Sequence, residues 1–266
     1  MKYIIILFLL ILLIINLCQY IQPPIIIYYH IAELGEWENI VKEQLDQIHA
    51  AGLYERCQEI RISFLGEKHN IMKYIRGKVK LIYHSRNVKE YEHPTINSLL
   101  MFAQECSQEY YILYIHTKGN SRKNNIHVHN WRRMMMYYLV DNYQKCLPYL
   151  ETYDTIGCNL RPARGYYCKI KNETHNYHYS GNFWWSKTSY IKTLPYLDNQ
   201  CNHNTYRWLA ESWLLYRLPN LKCLNIQATP ETHLYGKSYD INYYRKKKNL
   251  ETVDKKMNLV QLGLTF

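Results

Sequence analysis

Short apolar runs alternate with stretches of helical period from Ile25 to Leu160, and few folds accept that order. Ile25–Tyr29 reads IIIYY, a β-branched and aromatic run of the kind that makes a strand buried on both faces. Trp37, Ile40, Val41, Leu45 and Ile48 then recur at helical spacing until Gly52 and Leu53 mark the exit. Further strands are expected at Glu59–Leu65, Lys78–Tyr83, Tyr110–Ile115 and Tyr153–Leu160. A short helical piece at Asn70–Arg76 and longer helices at Thr95–Gln108 and Trp131–Leu150 fall between them. This order predicts an α/β fold with a mostly parallel sheet, helices on both faces and right-handed crossovers. A helix over Thr205–Leu218 and a last strand over Leu221–Ile226 follow. Ligands of such sheets sit outside the carboxyl ends of the strands, here His30, Gly66, His84 and the loop His116–Gly119.

The chain has 266 residues, 47% of them hydrophobic, enough to build one large α/β domain around a sizeable core. Its formal net charge of +11 favours anionic partners such as nucleic acid, an acidic membrane surface or phosphorylated small molecules. No nucleic-acid-binding motif accompanies that charge, so nucleic acid is not an expected partner. Ile4–Leu17 is apolar apart from Asn16, follows Lys2, and is closed off by Pro23 and Pro24. The run reads either as a signal-anchor helix just long enough to span or as a cleavable signal peptide, and the lack of a following small-x-small cleavage pattern favours the uncleaved anchor. The placement of charge puts the N-terminus in the cytosol and the body of the protein in a lumen of the secretory pathway. The expected division is an anchor over 1–22, a domain over 23–240 and a basic tail over 241–266 that includes Arg245–Lys248. Eight cysteines are scattered without any CxxC, which argues against a zinc ribbon. Cys106 and Cys146 fit helix-core positions, whereas Cys158 and Cys168 flank one loop and can pair in an oxidising lumen. Asn172-Glu173-Thr174 is a glycosylation sequon with meaning only in that lumen.

Three stretches carry possible chemistry. His116-Thr117-Lys118-Gly119 closes the fourth strand: a lysine there offers a point charge to phosphate, and Thr117 and the backbone amides offer donors. Arg122, Lys123, Arg132 and Arg133 follow closely, and the bland alternative is a solvated basic face. Ser180-Gly181-Asn182 directly precedes Phe183, Trp184 and Trp185. That juxtaposition reads either as a tight turn at a buried strand end or as an aromatic wall for a sugar. Glu211, within RWLAESWLL, lies among apolar residues on a predicted helix, where a carboxylate needs a partner or a task. The task is general base; the partner is Arg207, four residues earlier. His127 and His129 have no evident third ligand and read as a helix-start surface.

Together, HTKG, NWRRMM, HYSGNFWWSKTSYIKTLP and RWLAESW resemble a group of nucleotide-sugar glycosyltransferases found in large DNA viruses, algae and bacteria. The HTK-type loop is also similar to that of rhamnan-synthesis-type transferases. The resemblance runs from Ile25 to about Thr232, with SGNFWW and the downstream Glu-x-Trp its most specific part. It implies a GT-A-like, Rossmann-related fold, a nucleotide-sugar donor and a glycan or glycoprotein acceptor, while the apolar N-terminal run is what points to attachment to a secretory or viral membrane. It further implies that the donor lies near His30, with His116, Thr117, Lys118 and Arg132 around its diphosphate. Ser180, Gly181 and Asn182 would shape the loop at the reacting sugar, Trp184 and Trp185 would stack on pyranose faces, and Glu211 would act as base in an inverting transfer. The fold commonly holds Mn or Mg on an Asp-x-Asp motif, which this sequence lacks. His116–Lys118 occupies the matching place, so no metal ligand is assigned and a divalent metal stays open. Lys118 with nearby arginines is then expected to neutralise the leaving diphosphate. The alternative is a catalytically inactive sugar-binding or scaffolding protein on the same fold.

Overall fold

A computed structural model describes residues 22–122, 125–162, 177–197, 209–215, 221–230 and 234–245. The anchor run, Cys18, Cys168, Cys201, the sequon at Asn172, Arg207 and the lysines beyond Arg245 lie outside these residues. Among the described residues no helix is long and apolar enough to cross a membrane.

Four strands, β1 (Ile25–Ala32), β2 (Cys57–Leu65), β3 (Val79–Ser85) and β4 (Tyr111–His116), run parallel in the order β3-β2-β1-β4. Beyond β4 the sheet continues through three shorter strands from the second half of the chain. These are β5 (Thr155–Cys158), β8 (Trp184–Lys187) and β9 (Cys223–Gln227), and the full order is β3-β2-β1-β4-β8-β5-β9. Only β8 is reversed: it pairs antiparallel with both β4 and β5, while β5 pairs parallel with β9. A separate antiparallel ribbon joins β6 (Leu160–Pro162) to β7 (Tyr177–Tyr179). The expected mostly parallel sheet is therefore present.

All eight residues of β1 are buried, because side chains alternate between two cores. Ile25, Ile27, Tyr29 and Ile31 join the core beneath α1 (Trp37–Ala50) and α3 (Ile126–Met136), with Trp37, Val41, Ile48, Met134 and Met135. Ile26 and Tyr28 face the opposite core with Ile96, Leu99, Leu100 and Ala103 of α2 (His93–Glu105). Helices thus cover both faces, as the alternation of the sequence requires.

Three elements differ from expectation. The helix expected from Trp131 begins at Ile126, where the Asn125 side chain accepts from the amides of His127 and Val128. It gives way after Met136 to a π-turn over Tyr137–Asp141, and the Leu139 carbonyl accepts a 2.8 Å bond from the Trp185 indole. The strand expected over Tyr153–Leu160 is split at Asn159, which has φ 54° and whose side chain accepts from the Thr229 amide at 2.7 Å. Cys158 is a free, buried thiol, and Cys168, with which it is expected to pair, lies outside the described residues. Cys106 and Cys146 are free as well, and Cys146 is a buried core residue.

Candidate functional site

β1 and β4 are in register through His30 and His116, so both strands end at one level of the sheet. A cavity of about 250 Å³ opens there, lined by His30, Glu92, His116, Thr117, Lys118, Arg122, Glu211 and Tyr235 among others. It lies where the topology of a parallel sheet places ligands.

The His116–Gly119 loop is held tightly. The Thr117 amide donates to the His30 carbonyl (3.1 Å), the Asn120 amide to the Thr117 carbonyl (3.2 Å), and the Asn120 side chain to the Ala32 carbonyl (2.8 Å). Gly119 has φ 91°, and a Cβ there would stand 2.6 Å from Val128 Cγ1, so the turn into α3 requires glycine. Arg132 is 1% exposed; its guanidinium donates to the Lys118 carbonyl (2.9 Å) and to Glu43 of α1 (2.8 Å). This corrects the donor-binding expectation for Arg132: it is a bracket between α1, α3 and the loop, with both Nη atoms already engaged.

Lys118 is 8% exposed, and its ammonium lies 4.3 Å from the Trp131 ring centroid and 5.6 Å from that of Tyr235. Arg122 lies over the other side of the cluster, its Cζ 4.7 Å from the Tyr235 centroid. Among the described residues no carboxylate or carbonyl receives a hydrogen bond from Lys118 Nζ; aromatic faces are its company. A buried ammonium without an anion is costly, and ring contacts compensate only in part. Among the described residues Lys118 therefore has no ion-pair partner within bonding distance, although the carboxylates of Glu92 and Glu211 line the same cavity.

His30 is buried, with Nδ1 2.9 Å from the Thr95 hydroxyl. Burial drives its pKa down to about 4, against an opposing pull from Glu92, so near neutral pH the imidazole is uncharged. His116 Nε2 is 2.8 Å from the Gly181 carbonyl, which accepts only, so that nitrogen carries hydrogen. Its Nδ1 faces Glu92 Oε1 at 3.7 Å. Glu211 stands in a helical turn over 209–212, partly exposed, and lines the cavity. No hydrogen bond reaches its carboxylate among the described residues. Burial lowers the pKa of His178, which also feels Glu211 and, in the opposite sense, Lys118; these groups therefore share one electrostatic neighbourhood.

The SGNFWW stretch is not the wall of this cavity. Trp184 and Trp185 are 1% and 0% exposed, and they point to opposite faces of β8, one into each core. Trp184 stacks on Tyr114 with centroids 4.8 Å apart, leaving no face for a pyranose. The expectation that these rings bind sugar is therefore corrected: strand burial claims both. Ser180, Gly181 and Asn182 form the turn into β8 and do not line the cavity. Gly181 has φ 98° and packs where a Cβ would meet Met135 Sδ at 2.5 Å. Asn182, at φ 56°, donates to Glu92 and to the Ala210 carbonyl (3.3 Å) and accepts from Trp184 Nε1 (2.9 Å). Of the residues expected at a site, His30, His116, Thr117, Lys118 and Glu211 come together. Glu92 and Tyr235 join them without having been singled out, since each stands in a stretch with no motif.

Among the described residues no group of His, Cys, Asp and Glu side chains is arranged to hold a metal ion. His127 bonds to Ser238 and His129 pairs with Glu36, as befits a helix-start surface.

Among solved structures, the crystal structure of 4-diphosphocytidyl-2C-methyl-D-erythritol synthase from Anaerococcus prevotii DSM 20548 is similar at a TM-score of 0.43 and 13% identity. The match covers 78% of this chain and 90% of that one. Nothing among curated proteins matches the chain. A match to one family spans residues 27–212, taking in the parallel half of the sheet, the HTKG loop, the SGN turn and Glu211. The chain belongs to that family, described as a domain of unknown function, DUF8361.

Proposed function

We propose that this protein is a glycosyltransferase that moves a sugar from a nucleotide-sugar donor to a hydroxyl of a glycan or glycoprotein acceptor. The observation that carries this reading is Lys118: a residue only 8% exposed, without an ion-pair partner among the described residues, lining a cavity at the carboxyl ends of parallel strands. The diphosphate of the donor supplies the missing charge, with Arg122 and the Thr117 hydroxyl beside it. As the bond between the anomeric carbon and the diphosphate oxygen breaks, negative charge gathers on that oxygen. Lys118 stabilises it in surroundings where burial strengthens the interaction.

Glu211 is the base. Its carboxylate receives no hydrogen bond among the described residues, so it is available for the proton of the acceptor hydroxyl as that oxygen attacks the anomeric carbon. Neutral His30, held on Thr95, offers a hydrogen-bonding wall without competing for the anion as a second cation. A Mn or Mg ion riding on the donor's own phosphates is compatible with this scheme, because no step depends on a protein ligand to it.

Isothermal titration of the protein with a panel of nucleotide sugars and the free nucleoside diphosphates tests the reading. Binding of a donor, slow donor hydrolysis, and a loss of transfer of about 100- to 10,000-fold in Glu211→Gln with donor affinity retained are the expected results. Glycan binding with no affinity for any nucleotide would make the protein a sugar-binding module instead.

A further inference from the structure

Glu92 precedes α2 and reaches the cavity from the face opposite α1 and α3. Its two oxygens live differently. Oε2 accepts from the Tyr114 hydroxyl at 2.9 Å and from the Asn182 side-chain amide. Among the described residues Oε1 accepts no hydrogen bond; His116 Nδ1 faces it from 3.7 Å, beyond bonding distance. The side chain is only 16% exposed, and what is exposed faces the cavity. A carboxylate can accept about four hydrogen bonds, two on each oxygen, so this one is anchored at one end and open at the other.

The anchoring is itself anchored. Burial, and then the charge of Glu92, push the Tyr114 phenol well above its ordinary pKa, so it remains an O–H donor. Tyr114 is fixed by its stack on Trp184, and Trp184 Nε1 donates to the same Asn182 side chain whose amide holds Glu92. That amide also reaches the Ala210 carbonyl, one residue before Glu211. One asparagine therefore ties the orientation of Glu92 to the backbone that carries Glu211.

We infer that Glu92 is a further substrate-contacting residue, accepting a hydrogen bond through Oε1 from a hydroxyl of the transferred sugar, and that Asn182 is the positioning residue for both acids. The inference rests on the glycosyltransferase reading, which supplies the sugar. Glu92 and Glu211 then divide the work: the anchored acid orients a hydroxyl, and the unbonded one takes a proton. Selectivity follows from geometry, since a sugar lacking that hydroxyl leaves Oε1 with no partner in a closed site.

The test compares wild type with Glu92→Gln, which keeps an oxygen for Tyr114, by titration with UDP, GDP, UDP-glucose, UDP-galactose, GDP-mannose and their singly deoxygenated forms. Expected is at least a tenfold loss of affinity for the preferred nucleotide sugar with affinity for the free nucleoside diphosphate unchanged. One deoxygenated donor should lose as much against wild type and lose nothing more against the variant. Equal losses for sugar-bearing and sugar-free nucleotides, or full additivity for every deoxygenated donor, would overturn the assignment of Glu92 while leaving the glycosyltransferase reading intact. Absence of any nucleotide-sugar binding to wild type would overturn both. For Asn182, the variant is Asn182→Gly, because glycine accepts φ 56° without strain. Expected is a fall in kcat with a displaced acidic arm of the pH–rate profile, the arm a carboxylate base sets, at unchanged affinity for the nucleoside diphosphate. An unaltered profile with only a smaller active fraction would mark Asn182 as structural and overturn its positioning role.

Discussion

Replacing Lys118 by methionine should make the unliganded protein more stable and the liganded one weaker, a combination few mutations produce. Lys118 is 8% exposed, its ammonium has ring faces at 4.3 and 5.6 Å, and it has no ion-pair partner among the described residues. Lifting such a charge from water costs several kcal/mol even after relaxation. Contact with desolvated aromatic faces returns about 2 kcal/mol. The remainder, about 1–3 kcal/mol, is a debt the free protein carries, and methionine fills the same volume against Trp131 and Tyr235 without it. For a domain of this size that is a rise in Tm on the order of 2–10 °C. The same change removes a charge-assisted contact to the ligand, about 1.5–3 kcal/mol, so nucleoside diphosphate binding should weaken about 10- to 150-fold. Thermal unfolding with and without UDP or GDP, paired with titration calorimetry, reads both quantities. A Lys118→Met protein that unfolds at lower temperature than wild type would show that the ammonium has a structural partner, and the reasoning would fail at its first step.

Two other outcomes follow from the core of the site. His30 has a folded pKa of about 4, below its ordinary 6.5, so the unfolded chain binds the extra proton first. Stability is therefore full above pH 6.5 and declines as the pH falls toward 4, by roughly 3 kcal/mol for this residue. His178, shifted in the same direction, adds to that slope, so the informative quantity is how much flatter urea midpoints against pH become in His30→Gln. Trp184→Phe keeps the stack on Tyr114 but removes the bond from Nε1 to Asn182. It should cost about 1–2 kcal/mol of stability by urea titration, with sugar-acceptor affinity changed only as far as Asn182 moves. A variant of unchanged stability that has lost its acceptor would return Trp184 to the binding surface.

The parallel half of the fold was legible because β1 and β4 are apolar on both faces, which leaves a continuous run that no surface element would carry, while β2 alternates apolar with polar residues in its first half. His30 and His116 were legible as site residues for a related reason: a polar side chain at the end of such a run marks where the strand meets the ligand edge. The short strands of the second half were less so. β5 has four residues and depends on Asn159, whose left-handed backbone and bond to Thr229 are formed only when distant segments meet. Glu92 escaped notice because its partners, Tyr114, Asn182 and His116, are between 22 and 90 positions away and no local pattern announces them.

The two tryptophans show how a correct local inference can attach to the wrong task. An aromatic pair after Ser-Gly-Asn does need to bury its surface, and both available ways of doing so were open until the sheet order was known. β8 settles the matter by running backwards between β4 and β5, so that adjacent side chains are delivered to two different cores. That reversal also turns the loop before it toward the carboxyl ends of β1 and β4, where Gly181 meets His116 and Asn182 meets Glu92. The aromatic residues therefore serve the site by fixing the frame: Trp184 pins Tyr114 and Asn182, and those two pin Glu92. On this view a substitution at Trp184 reaches the chemistry only through the orientation of Glu92. The effects of Trp184→Phe and Glu92→Gln on donor affinity should then be less than additive in a double-mutant cycle. Full additivity would mean that the frame and the acid act separately.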